Sequence, residues 1–92
     1  MTTLAQDAWV LDTVVTSATA SAALKQCADA IRQGARVLDF HRVNEMDSAV
    51  LALIIECRRE AERTGVALRC INLPTNLKSL ASLYGVLELI PQ

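Results

Sequence analysis

Apolar residues follow two rhythms along this chain, one helical and one extended. Ala20, Leu24, Cys27, Ala28 and Ile31 recur at helical spacing, and Gly34 supplies a stop. With Thr16 or Ser17 as the N-cap, the pattern predicts a helix over about 18–33. "ARVLDF" follows as a short apolar run, the signature of a buried strand. The stretch "VNEMDSAVLALIIECRREAERTG" starts polar, places Asp47 and Ser48 before seven consecutive apolar residues, and then turns to charge. It predicts a helix from about Ala49 to Thr64, ended by Gly65. "VALRCIN" alternates, with Val66, Leu68 and Cys70 on one face and Ala67, Arg69 and Ile71 on the other, as a strand does. Pro74 sits at or just before the start of a last helix. Leu77, Leu80, Ala81 and Tyr84 form its apolar stripe, and Gly85 ends it. "VLELI" reads as a short strand or an extended tail. Leu4 to Val15 has room for one or two short strands.

The order is therefore strand or strands, helix, strand, helix, strand, helix. Such alternation predicts the α/β class: a small, mostly parallel mixed sheet whose crossover helices cover it. Functional loops in such sheets leave the carboxyl ends of strands. "HRVNEM", directly after the strand ending at Phe40, is one of these loops.

Composition narrows the function. A chain of 92 residues is sized for one small domain, here residues 1–92, and its 52% hydrophobic content opposes disorder. The formal charge is -1, and the tightest basic cluster, Arg58-Arg59, is flanked by Glu56 and Glu60. Phosphate binding needs a concentrated basic surface, and Trp9, Phe40 and Tyr84 are the only aromatics for stacking, so nucleic acid is excluded as a partner. Cys27, Cys57 and Cys70 lie in apolar patterns without CxxC spacing, which predicts buried free thiols and a reducing compartment. "MTTLAQDAWV" lacks a basic n-region, and no apolar run approaches the roughly 20 residues of a membrane span. A soluble cytoplasmic protein without direct membrane insertion is expected.

Three chemistries compete for the Asp-Ser pair. A serine nucleophile needs a base and an oxyanion hole. His41, oriented by Asp39 or Asp47, is the sole histidine, and no G-x-S-x-G elbow surrounds Ser48. Metal ligation finds no recognised spacing, and three isolated glycines make no phosphate loop, so neither metal nor cofactor is expected. Capping suits both residues, because Asp47 or Ser48 can accept from the first free N–H groups and Asp47 complements the helix dipole. Asp39 has the corresponding role at a strand end.

Capping leaves the breadth of the apolar arc unexplained. At about 100° per residue, Val50, Leu53, Ile54, Cys57 and Ala61 form one arc, with Glu56, Arg59, Glu60 and Arg63 opposite. Leu51 and Ile55 extend the arc onto the flank shared with Arg58 and Glu62. Covering a sheet takes a stripe of about 100° or somewhat more. The excess either packs on a neighbouring helix or meets a partner protein.

"VLDFHRVNEMDSAVLALI" resembles the core motif of the STAS family, in which a strand ends in an apolar-Asp-apolar step and Asp-[Ser/Thr]-x-Gly opens a helix. "VALRCINLPTNLKSLASLYGV" resembles the family's last strand and helix. The match runs from about Arg36 to Gln92; residues 1–35 agree in layout. It is nearest to the stand-alone members that serve ABC-type phospholipid transporters maintaining outer-membrane lipid asymmetry. The resemblance implies a non-catalytic module that binds the transporter's ATPase subunit, in complex with the permease, peripheral to the inner membrane, with self-association as a homodimer open. It places Asp47 and Ser48 at the contact, with Met46, Ala49, Val50 and Leu51 around them; the apolar flank adds Ile55 and Arg58. In the related anti-sigma-factor antagonists a kinase phosphorylates the residue two after the Asp. That position is Ala49 here, so no phosphorylation is expected there. The family Gly is Val50.

Overall fold

The structure is a computed structural model that describes residues 7–92. Three strands, β1 (Ala8–Val10), β3 (Val37–Asp39) and β5 (Arg69–Ile71), form a sheet in the order β1-β3-β5, and both pairings are parallel. A separate parallel pair joins β2 (Val14–Val15) to β4 (Glu45–Met46). The crossovers are α1 (Ala20–Arg32) and α2 (Ala49–Arg63); α3 (Thr75–Leu83) and a 3-10 turn (Leu87–Leu89) complete the chain. The α/β class is as the sequence predicts. Among the described residues every strand pairing is parallel, so the mixed character expected of the sheet is not seen. Leu4 to Gln6 of the first predicted segment lie outside the described residues.

The sheet is organised by one row of side chains. Trp9, Leu38 and Cys70 lie side by side in register and are all buried. They point into a cluster that also holds Cys27, Ala30 and Ile31 of α1, Val50, Leu53, Ile54 and Cys57 of α2, and Leu77 and Ala81 of α3. The other pleat carries Val10, Asp39 and Ile71, which are half-buried. The free edge of β5 is closed by the C-terminal tail, where the Cys70 N–H donates to the Pro91 carbonyl at 2.6 Å. Covering an edge removes a template for unwanted strand pairing. "VLELI" is a helical turn followed by an anchoring Ile90, in place of the expected short strand or extended tail.

Helix ends sit close to the predicted stops. Gly34, Gly65 and Gly85 all take positive φ just past a helix, a conformation that glycine adopts without steric cost. α1 begins two residues later than predicted because a turn intervenes: the Thr16 carbonyl accepts from both Thr19 and Ala20 N–H groups, at 3.0 and 2.8 Å. Inside "HRVNEM" the sequence suggested only loop; a two-residue strand is too short to leave a periodicity, and β4 owes its existence to pairing with β2.

α1 and α2 pack against each other, and two features of the seam differ from the sequence reading. The expected three free thiols are corrected: Cys27 and Cys57 form a disulfide between the helices, with Cα atoms 6.5 Å apart, within the span such a bond allows. Cys70 remains free, and burial pushes its thiol up to about 12. Glu60, assigned to the solvent side, is buried on the seam, where it accepts from Arg32 of α1 at 3.2 Å and also from Arg63. Denatured without reductant, the protein should therefore present one titratable thiol, and three after reduction; three before reduction would contradict the pairing.

Candidate functional site

Two carboxylates at the carboxyl end of the sheet organise the surface there. Asp39 closes β3. Its Oδ1 accepts from the His41 backbone N–H at 2.9 Å and from Asn72 Nδ2 at 3.0 Å, and His41 Nδ1 lies 3.0 Å away. Asn72 reaches it from a left-handed conformation (φ 55°) that asparagine tolerates well. Burial pushes the Asp39 carboxyl upward, but the hydrogen bonds from Asn72 and His41 outweigh it and hold it below the ordinary value. The strand-end role assigned to Asp39 agrees with this geometry. His41 faces Asp39, which leaves Ser48 without the histidine that a nucleophile would need.

Asp47 joins two segments distant in sequence. The β2–β4 ladder brings it into place: the Thr13 carbonyl accepts from Asn44 and Glu45 N–H groups at 2.8 and 2.9 Å, and the Val15 carbonyl from Asp47 N–H at 3.3 Å. Asp47 Oδ2 then accepts from Ser17 N–H at 3.1 Å, and Oδ1 from Ala49 N–H, the first residue of α2, at 2.9 Å. The Ser17 bond, followed by the Ala49 bond, holds the carboxyl below the usual carboxylate range. Ser48 occupies the N-cap position but makes no side-chain cap bond, and it is exposed. Of the two capping candidates, Asp47 does the capping and the Ser48 hydroxyl does not.

The apolar flank is corrected as well. Leu51 is only 6% exposed and Val50 is fully buried, so both belong to the core and neither is free to meet a partner directly. α2 needs its wide arc because it is packed by the sheet and by α1. Ile55 is half-buried. Arg58, also half-buried, donates to the Leu89 carbonyl and to Glu62, each at 3.2 Å, which turns its flank toward the C-terminal turn.

What the surface offers instead is a groove of about 560 Å³. Residues 43–48 make one wall, which includes the predicted Met46, Asp47 and Ser48. Pro74, Asn76, Leu80 and Tyr84 make the other. Ala49 is half-buried at the start of α2, beside Ser48. The α3 wall was missed in sequence because Tyr84 and Leu80 fit the helical stripe of a core. In the fold, α3 buries Leu77 and Ala81 only, leaving Leu80 half-buried, Tyr84 58% exposed and Leu83 80% exposed. On this wall the exposed Tyr84 stands beside the half-buried Leu80, an apolar surface suited to protein contact, while Leu83 lies outside the groove. Among the described residues no group of three or more His, Cys, Asp or Glu is placed to hold a metal ion, and no helix is long and apolar enough to cross a membrane.

The carboxylates tie the site to acid stability. Asp39 and Asp47 titrate below the unfolded value of about 3.9. Their stabilisation is complete above that value and is lost as pH falls through the lower folded value. In thermal melts, Asp47→Ala should lower the midpoint at neutral pH and flatten its decline below about pH 4. Ser48→Ala should change stability by no more than about 0.5 kcal/mol. The opposite ranking would assign the cap to Ser48.

Comparison with known proteins agrees with this architecture. Solved structures that share the fold include two of SpoIIAA. The unphosphorylated form of the anti-sigma factor antagonist SpoIIAA is 23% identical, with a TM-score of 0.64 over 90% of this chain and 75% of that one. The phosphorylated form of the Bacillus cell fate determinant SpoIIAA is 19% identical, with a TM-score of 0.65 over 96% and 84%. No curated protein matches the chain by sequence. The family model described as the Mlab STAS domain matches residues 3–91. STAS domains generally bind partner proteins and do not catalyse reactions. With parallel strands, crossover helices and an aspartate-capped α2 in place, and the family match running almost end to end, the chain belongs to the STAS family, in its MlaB-type branch.

Proposed function

We propose that this chain is a non-catalytic subunit that binds the ATPase of a phospholipid ABC transporter and supports its assembly and activity. The match to the MlaB-type family over residues 3–91 carries the reading, and the resemblance of "LDFHRVNEMDSAVLALI" to that branch's core motif is its sequence counterpart. The docking surface is the edge from Met46 to Ala49, held by Asp47, with the α3 wall beside it. Val50 and Leu51 act from beneath, by fixing the start of α2. Ile55 and Arg58, expected at the contact from the sequence, lie outside this surface in the reading proposed, because Arg58 is held toward the C-terminal turn by its bonds to the Leu89 carbonyl and Glu62. The protein stays outside the bilayer and reaches the inner membrane through the transporter.

A second reading is favoured by one observation. The Ser48 hydroxyl is exposed and makes no cap bond, so it is open to modification although the family's phosphorylated position is Ala49. An anti-sigma-factor antagonist, bound and modified by an anti-sigma kinase, would use such a hydroxyl.

Co-expression with the ATPase of a phospholipid ABC transporter tests the choice. The chain should co-purify with it, and Ser48→Arg should weaken the complex by about tenfold or more without altering the circular dichroism. Leu51→Ala is a poor interface probe, because emptying that buried site costs roughly 2–5 kcal/mol of stability. No complex with the ATPase, together with stoichiometric phosphorylation of Ser48 by an anti-sigma kinase, would replace the first reading by the second.

A further inference from the structure

The groove between residues 43–48 and α3 has a charge character that the chain as a whole lacks. The chain carries nine Lys and Arg against ten Asp and Glu, close to balance. The groove lining includes Glu45 and Asp47 and no Lys, Arg or His. Both carboxylates are on exposed residues. Each Asp47 oxygen accepts one backbone hydrogen bond, which leaves acceptor capacity toward solvent. The same groove has an apolar lining: Val43, Met46 and Leu80 are half-buried and packed on the core, and Tyr84 at the end of α3 is exposed. Anionic ligands, a nucleic acid or an anionic membrane among them, would be repelled.

We propose that this groove takes a cationic–apolar segment of a partner protein, with an aliphatic or aromatic side chain against Met46, Leu80 and Tyr84 and a Lys or Arg beside it on Glu45 and Asp47. A volume of about 560 Å³ accommodates a few side chains. The inference rests on the reading of the chain as a protein-binding module and names the chemistry of what is bound; it holds whichever partner supplies the segment.

Selection of a displayed library of random 12-residue peptides on the immobilised chain is the test. Enriched peptides should place Lys or Arg within a helical turn of Leu, Met or Phe. Glu45→Lys should weaken them by about tenfold or more, Tyr84→Ala should weaken them independently from the other wall, and added salt should weaken binding to the wild type. Enrichment of acidic or uncharged peptides, failure to enrich any, or equal binding by Glu45→Lys and the wild type would overturn the proposal. A wild-type homodimer that Glu45→Lys dissociates would assign the groove to a second copy and overturn it too. Selection of cationic–apolar peptides by a chain that does not bind the ATPase would sink the transporter assignment alone; ATPase binding without peptide enrichment would sink this inference alone.

Discussion

Parallel strand pairing is the constraint from which the rest of the molecule follows. Neighbouring parallel strands cannot be joined by a tight turn, so the chain must return along the sheet before each new strand. It does so twice, through α1 between β1 and β3 and through α2 between β3 and β5. Both helices must bury an apolar face on the Trp9–Leu38–Cys70 row, and both must restart at the carboxyl end of the preceding strand. The surface where α2 begins is therefore the place where loop backbone, a helix N-terminus and uncommitted side chains meet. Parallel α/β sheets put their binding sites at that end for the same reason.

The carboxylates at this end act as joints. Asp39 gathers the segments that follow β3 and β5, and Asp47 gathers the segment after β2 and the first turn of α2. Each satisfies backbone or side-chain donors that would otherwise lack partners within the protein. This is the chemistry of positioning: among the described residues His41 is engaged with Asp39, and the Asp47 carboxylate is taken up by the backbone of Ser17 and Ala49. A rigid edge with a groove beside it is well suited to holding another protein in register, because little ordering cost is left for binding to bear.

Much of this was legible in the residues. Three helices, their glycine stops and the alternation of "VALRCIN" follow from periods of 3.6 and 2, because the buried positions of each element recur at its own period. The Asp-Ser pair before the apolar run located the start of α2 to the residue. What escaped was whatever depends on partners far apart in the chain. β4 is two residues long and exists through its register with Val14 and Val15. The choice of Asp47 over Ser48 as the cap follows from the position of Ser17, thirty residues away. Whether Leu51 packs on a neighbouring helix or meets a partner stayed open in the sequence, because periodicity does not show that α2 is packed on more than one side. Tyr84 read as core for the converse reason: α3 fits the stripe but is covered only along Leu77 and Ala81.

In the reading proposed, a partner docks on the edge formed by residues 43–48 together with α3, and the outer face of α2 remains outside the contact. Hydrogen–deuterium exchange of the chain, alone and bound to the transporter ATPase, addresses it directly. Binding should bring new protection over residues 43–49 and 76–84, with exchange over residues 56–63 unchanged. Protection concentrated along residues 56–63, with residues 43–49 and 76–84 exchanging as in the free chain, would contradict it.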